Sequence, residues 1–307
     1  MTAIQIAVVG VGKIARDQHL PTILANPDFT LAALVDPTMP DGGVPAFATL
    51  DDLLAFGPKV DAVAICTPPQ VRHVIAAKAL AHGLHTLLEK PPGATLAEVD
   101  VLRALAETRQ LSLFTAWHSR YAAGVAPPKA WLADRIIQSV HICWREDVRV
   151  WHPGQTWIWE PGGLGVFDPG INALSIATHI LPRPFFLTAA TLYTPVNLHA
   201  PIAADLTFTD RAATPITADF DFRQEGPQSW DIIIETDAGA MHLANGGAVL
   251  SLPSGAQRSE NREYVGLYQS FAVLIRTGQS DVDVAPLRHV ADAFLRGRHV
   301  IVDAFIE

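Results

Sequence analysis

The stretch that most constrains the fold lies near the start of the chain. Ile4-Gln5-Ile6-Ala7-Val8-Val9 is apolar, as a strand buried on both faces must be, and it runs directly into Gly10-Val11-Gly12-Lys13-Ile14-Ala15. This is G-x-G-x-x-A. The first glycine permits a tight turn, the second lets a pyrophosphate approach the backbone, and the small last residue lets helix and strand pack closely. The helix that follows turns its positive end toward the phosphates. A short glycine motif is weak by itself, but here a helical pattern follows it and a second strand-like run occupies Phe29–Val35. That run ends at Asp36, about 20 residues past the motif, where an acid binds a ribose 2′-hydroxyl. Pro37 follows, with no arginine beside it to hold a 2′-phosphate. NAD is therefore favoured, with NADP as the alternative. Gly10, Gly12, Lys13, Ile14 and Asp36 are cofactor-binding candidates; the plain reading of Asp36 is an ordinary turn acid.

Strands and helices then alternate. Residues 44–47 read as a short third strand, which Pro45 places at a sheet edge. A helix over 50–56 precedes a buried strand over 62–66, broken by Thr67-Pro68-Pro69. A helix over 71–82, a strand over 85–88, a capping box at Thr95-Leu96-Ala97-Glu98 and a strand over 111–116 follow. This pattern specifies an α/β fold with a parallel, doubly wound Rossmann sheet. Ligands of such sheets bind beyond the C-terminal strand ends. Thr67, Pro68, Glu89 and Lys90 fall there, as does Trp117-His118-Ser119-Arg120. Lys90 reads either as a solvated turn lysine or as a cation that stabilises an oxyanion or tunes a neighbouring acid.

A length of 307 residues suggests two domains, with expected boundaries at 1–120 and 121–307. The apolar fraction of 49% is ample for a packed core, and a net charge of −9 argues against nucleic acid. Cys66 and Cys143 lie far apart on strand-like segments and read as reduced, buried thiols rather than a disulfide or metal site. No run reaches the length of a membrane span, and Ile4 opens a strand with no basic n-region before it, so the expectation is a cytoplasmic protein without a signal peptide.

The second half centres on Glu160-Pro161-Gly162-Gly163-Leu164-Gly165-Val166-Phe167-Asp168-Pro169-Gly170-Ile171-Asn172. The loop is glycine-rich. Asp168 reads as a helix N-cap with Pro169 at the first helical position. Asn172 falls one turn later on the same face, and Ile171, Leu174, Ala177, Ile180 and Leu181 supply an apolar stripe. Taken alone, this is a cap and a surface amide. A strand over 136–144 leads into Arg145-Glu146-Asp147, and Trp151, His152, Trp157 and Trp159 follow. One tryptophan reads as core packing. Several, interleaved with Glu146, His152 and Asp168, read as the wall of a polar-ligand pocket. For His152 and His118 a core histidine is the other reading. Strands over 185–192, 204–209, 216–222, 229–235, 240–243 and 248–252 then indicate a C-terminal α+β domain on a large, mainly antiparallel sheet, closed by helices over 264–277 and 286–303. One face of that sheet can cover the cofactor and the other can pair with another subunit.

Gly10–Ala15, Thr67-Pro68-Pro69, Glu89-Lys90-Pro91 and the helix carrying Asp168 and Asn172 together resemble the glucose–fructose oxidoreductase/inositol dehydrogenase (Gfo/Idh/MocA) family over nearly the whole chain. Longer runs narrow the resemblance to its bacterial aldose 1-dehydrogenases acting on D-galactose and L-arabinose. These are residues 12–21, 89–95, 145–149, 151–153 and 162–172. The resemblance implies NAD or NADP as hydride acceptor and oxidation of a pyranose at its anomeric carbon to the aldonolactone. It implies Asp168 as the first candidate base, oriented by Asn172, with Lys90 as the second candidate or as a stabiliser of charge. Glu146 and His152 would bind sugar hydroxyls, with His118, Trp151 and Trp230 around the same substrate. By periodicity alone Trp230 belongs to the core. Many family members carry histidine where this chain has Asn172, so the usual Asp–His proton pathway is missing. The protein is expected to be a homo-oligomer, dimer or tetramer, with no nucleic-acid or membrane partner. The alternatives are a dehydrogenase of another sugar or inositol, a non-catalytic dinucleotide-binding regulator, and a metal hydrolase using His152, Asp168 and Glu146. The last lacks a compact ligand signature, so no metal is expected.

Overall fold

The computed structural model describes residues 2–260 and 262–306. The chain forms two compact units, Met1–Trp117 with Tyr264–Val284 and His118–Glu263 with Ala285–Glu307. The segment 264–284, read from sequence as part of the second domain, clusters with the first. The helix Glu263–Thr277 buries Tyr264, Leu267, Tyr268, Phe271 and Ala272, and the Phe271 ring stacks on Phe29 and Phe114, 6.0 and 5.9 Å away. An apolar helical stripe announces burial, but not which distant strands it will cover.

The first unit is built on six strands: β1 (Ile4–Val9), β2 (Phe29–Val35), β3 (Ala46–Phe47), β4 (Ala62–Ile65), β5 (His85–Glu89) and β6 (Leu113–Ala116). All pair in parallel in the order β3-β2-β1-β4-β5-β6, so the order reverses between β1 and β4, the switch point of a doubly wound sheet. The edge position of β3 suits Pro45, whose carbonyl accepts from Leu34 N–H while its nitrogen has nothing to donate. After the glycine loop the chain makes a wide π-type turn over Ala15–His19 and then α1 (Leu20–Ala25). Helices α2 (Leu50–Phe56) and α4 (Leu96–Arg109) both begin in capping boxes, Thr49/Asp52 and Thr95/Glu98. Between them, α3 (Pro69–Ala81) starts two residues earlier than its apolar spacing suggests, because a proline is tolerated at the first helical position. Val9, Val63, Ile65 and Leu88 from the strands pack on Ala76, Leu80 and Leu102 from α3 and α4.

The second unit holds α5 (Ala126–Leu132), α6 (Val148–Trp151) and α7 (Phe167–Ile180) beside a nine-stranded sheet. Its strands are β7 (Ile137–Arg145), β8 (Phe185–Pro195), β9 (Ala203–Asp210), β10 (Ile216–Asp221), β11 (Ser229–Thr236), β12 (Gly239–Ala244), β13 (Val249–Leu252), β14 (Gly255–Arg258) and β15 (Arg298–Val302). Pairing is antiparallel except for the parallel pairs β7–β10 and β8–β15. The segment read as one helix over 286–303 is a helix only over Ala285–Arg296. Gly297 N–H closes that helix on Ala293, and Arg298–Val302 then extends along β8 as an edge strand. Helical spacing cannot report a pairing partner a hundred residues away. Among the described residues, no helix is long and apolar enough to cross a membrane.

Candidate active site

In the first unit, β1 delivers the chain into Gly10, whose N–H donates to Val35 O at 2.8 Å. Gly10 has φ of +86°, and a Cβ there would lie 2.9 Å from Thr67. A larger residue would have to push the β4 loop aside. Gly12 is the opposite case: a Cβ would meet nothing within 4 Å, which leaves open ground above the backbone where a phosphate can approach. Asp36 closes the loop from β2. Its Oδ2 accepts from Val11 N at 2.8 Å, and its Oδ1 accepts from Thr38 N at 2.9 Å and Thr38 Oγ1 at 2.6 Å. Burial acts to raise the Asp36 pKa, but the hydrogen bonds from Thr38 and Val11, with the Arg16 charge, hold it below the usual carboxylate range. Asp36 therefore stays ionised. Arg16, whose guanidinium donates to Val11 O at 2.7 Å, is a cation that the local sequence around Asp36 does not reveal. Lys13 is exposed and ion-paired with Asp17, and Ile14 is exposed beside it. These features suit a dinucleotide: an open loop, a helix start and an ionised acid at the end of the second strand.

The ends of β4 and β5 are tied together by Arg72 of α3. Its guanidinium donates to Thr67 O, to Glu89 O at 2.5 Å and to Pro91 O. Thr67 and Pro68 lead into α3 beside this clamp. Glu89, read from sequence as a cofactor ligand, turns inward instead. Its Oε1 accepts from Tyr264 Oη at 2.7 Å and faces His19 Nε2 at 2.9 Å, while Oε2 accepts from Lys90 N at 2.8 Å. His19 Nδ1 lies 2.7 Å from Tyr268 Oη. Burial drives Glu89 into this network, since a buried carboxylate must find donors. Lys90 is half-buried at the end of β5, its backbone fixed by Glu89 and by the Arg72 bonds on either side. His19, Arg72 and Tyr264 were not recognisable as site-building residues from sequence; their partners lie up to 249 positions away.

In the second unit, Glu146 leaves β7 with its N–H on Asp221 O, and Asp147 caps α6 by accepting from Arg149 N. The single helical turn α6 brings His152 back over Glu146: Glu146 Oε1 lies 3.1 Å from His152 Nε2. Glu146 Oε2 accepts from Trp230 Nε1 at 2.8 Å. His152 Nδ1 faces Asp168 Oδ2 at 3.6 Å. Glu146 and Asp168 are only 2% and 3% exposed. Both ring nitrogens of His152 thus face carboxylates. Asp168 is not the N-cap. The α7 turn starts earlier, with Asp168 N–H on Gly165 O at 2.9 Å and Gly170 N–H on Val166 O at 3.2 Å. The buried Phe167 locks this start by packing edge-on to Phe220. Asp168 sits instead in the first turn, where the helix dipole favours a carboxylate. Asn172 is one turn further along α7 and half-buried, in the expected i, i+4 relation.

Trp230 stacks on Trp144 at 5.9 Å and meets Trp151 at 4.7 Å. Trp144 and Trp159 are core residues, whereas Trp151 is 39% exposed and offers a ring face to a ligand. Trp230 belongs to this cluster and is tied to Glu146 by its indole N–H. His118 Nδ1 lies 2.5 Å from Glu263 Oε2, a pairing that explains its partial burial. Among the described residues, no group of three or more His, Cys, Asp or Glu side chains is arranged to hold a metal ion.

A strand–glycine loop–helix with a terminal acid is the architecture of a dinucleotide-binding domain, and a buried acid–imidazole–acid cluster lies in the second unit. Comparison with known proteins goes further. Residues 4–116 match the model of the Gfo/Idh/MocA oxidoreductase family, NAD-binding Rossmann fold. The whole chain is 48% identical to galactose 1-dehydrogenase of Pseudomonas fluorescens, covering 100% of both. The structure of D-galactose-1-dehydrogenase from Rhizobium etli superposes with a TM-score of 0.95 at 56% identity, over 100% of this chain and 99% of that one. A 3-ketoreductase from Actinomadura kijaniata shares the fold, with a TM-score of 0.84 at 18% identity over 98% and 100% of the two chains. The chain belongs to the Gfo/Idh/MocA oxidoreductase family. Residues 4–116 are its NAD-binding Rossmann part, so the cofactor class is a nicotinamide dinucleotide.

Proposed function

We propose that this sugar dehydrogenase is an aldose 1-dehydrogenase that oxidises the anomeric carbon of D-galactose or L-arabinose to the aldonolactone. The observation that carries the reading is Asp168, a buried carboxylate in the first turn of α7 with His152 and Glu146 beside it, in a chain similar along its whole length to galactose 1-dehydrogenases. When bound, the oxidised nicotinamide supplies the hydride acceptor. The chain's own groups position the sugar and move the proton. Asp168 takes the anomeric hydroxyl proton as C1–H leaves as hydride, and Asn172 orients the same hydroxyl. Glu146 has lone pairs left for a ring hydroxyl after serving Trp230 and His152. The faces of Trp151 and Trp230 suit the apolar C–H side of a pyranose. D-Galactose and L-arabinose share configuration at the ring carbons nearest C1 and differ chiefly at C5, so one site can take both.

NAD+ is the preferred acceptor, because the ionised Asp36 suits a ribose 2′-hydroxyl and repels a 2′-phosphate. Arg16 moderates that repulsion, so NADP+ is a weaker substrate rather than an excluded one. A cytoplasmic homo-oligomer, dimer or tetramer, completes the proposal. The test is initial-rate formation of reduced cofactor from galactose, arabinose, fucose, xylose and glucose with each of NAD+ and NADP+. Galactose and arabinose with NAD+ are expected to give the highest kcat/KM. Silence with every aldose would favour a regulatory dinucleotide-binding protein.

For Lys90 the resemblance implies the role of second candidate base or of a cation that stabilises charge developing on the reacting oxygen. Lys90→Ala is expected to lower kcat about a hundredfold. The Arg72 and Glu89 contacts to neighbouring backbone are retained in this variant, so it should still fold, which thermal unfolding checks. A turnover within threefold of the parent would remove Lys90 from the chemistry.

A further inference from the structure

We propose that His152 is the relay that clears the proton from Asp168 after each oxidation. The inference rests on the reading of Asp168 as the base in sugar oxidation. An ionised carboxylate only accepts hydrogen bonds, so the contact between Glu146 Oε1 and His152 Nε2, 3.1 Å long, places the imidazole proton on Nε2. Glu146 is itself held by Trp230 Nε1 at 2.8 Å, which fixes the orientation of its carboxylate. Nδ1 is then the bare nitrogen of the neutral ring. It is buried, has no hydrogen-bond partner, and faces Asp168 Oδ2 at 3.6 Å. That separation is not a hydrogen bond. It is the stand-off expected of two lone pairs with no proton between them, and a proton arriving on Asp168 turns it into an O–H···N contact. The groups facing the imidazole are Glu146 at the end of β7, Asp168 on α7 and the uncharged Phe222 ring at 5.4 Å.

The step balances. The anomeric O–H proton passes to Asp168 Oδ2 as the C1–H pair leaves as hydride for the oxidised nicotinamide and C1=O forms. Asp168, now a carboxylic acid, passes the proton to Nδ1 and regains its charge. The imidazolium is stabilised by the Glu146 carboxylate and releases the proton to water. Burial favours such a path. The Asp168 side chain is 4% exposed, against 16% for His152, so of the two side chains the imidazole reaches solvent more, although Nδ1 itself is buried. Asn172, one turn along α7, cannot substitute, because an amide is not a base.

His152→Gln separates relay from positioning: a glutamine amide can still donate to Glu146 but offers no base at Nδ1. Rapid-mixing kinetics with saturating galactose and NAD+ should show a first turnover near the parent rate, because Asp168 still accepts one proton. Steady-state kcat should then be at least about tenfold lower, with KM within threefold, and added imidazole should restore it. A raised KM with unchanged kcat would make His152 a sugar ligand only. Equal slowing of the first and later turnovers would make it structural; either result overturns the relay. A second measurement needs no turnover. Proton–nitrogen correlation spectra of the ¹⁵N-labelled protein at alkaline pH should place the His152 proton on Nε2, and a proton on Nδ1 would refute the relay even if no aldose proves to be a substrate. Conversely, a protonated Nε2 without any aldose oxidation would reject the proposed reaction and leave the imidazole geometry standing.

Discussion

Asp168→Asn is expected to lower kcat by about 10²- to 10⁴-fold, the range for loss of a positioned general base. The substitution keeps the shape of the side chain and removes only its capacity to take a proton. At 3% exposure there is little room for water to stand in for the missing base. KM should move far less than kcat, because the amide still hydrogen-bonds a hydroxyl, so kcat and kcat/KM fall together. Folding should survive. The α7 start is made by backbone bonds from Asp168 N–H to Gly165 and Gly170 N–H to Val166, and by the Phe167 packing, none of which uses the carboxylate. Removing one of two carboxylates around a single imidazole also relieves like-charge repulsion. Steady-state kinetics with the preferred aldose, alongside a thermal melt, checks both halves. A kcat within threefold of the parent, with the protein folded, would mean that another group takes the proton.

Much of this arrangement could be read from the chain alone, and the limits have physical causes. The strand–loop–helix around Gly10, the edge strand near Pro45 and the Thr95/Glu98 capping box depend on residues close in sequence, where turn chemistry and periodicity apply. Asp168 and Asn172 were legible as a pair because they share a helical face. The exact helix start was not, because Asp-Pro mimics a cap while the buried Phe167 and the Gly165 carbonyl begin the turn earlier. Contacts over long sequence separations were invisible. Nothing in Arg298–Val302 names β8 as its partner, and nothing in the helix Glu263–Thr277 names Phe29 or Phe114. The same limit hid the surroundings of His152: Glu146 is six residues away, but the approach of Asp168 depends on how α6 and α7 pack within one unit.

His19→Ala is expected to destabilise the protein by about 3–5 kcal/mol, the range for removing one partner of a buried ion pair. His19 is fully buried, with Nε2 on Glu89 and Nδ1 on Tyr268. Alanine would leave the buried Glu89 carboxylate short of a donor and open a cavity beneath β5. Burial by itself would lower the His19 pKa, but the facing Cys66, Tyr268 and Glu89 groups overcome it and hold the imidazole well above its ordinary value of 6.5. Tyr268, pushed up to about 12 chiefly by burial, stays neutral across the working range. For a histidine raised on folding, the stabilisation is complete below the unfolded value and is lost as pH rises through the folded one. The parent should therefore lose stability between roughly pH 6.5 and the alkaline range, and His19→Ala should flatten that decline as well as lower the whole curve. Glu89 also holds Lys90 N, so turnover should fall in the folded variant through loss of order at the end of β5. Denaturant unfolding at a series of pH values, parent against variant, measures this; parallel curves would show that His19 carries no proton linked to folding.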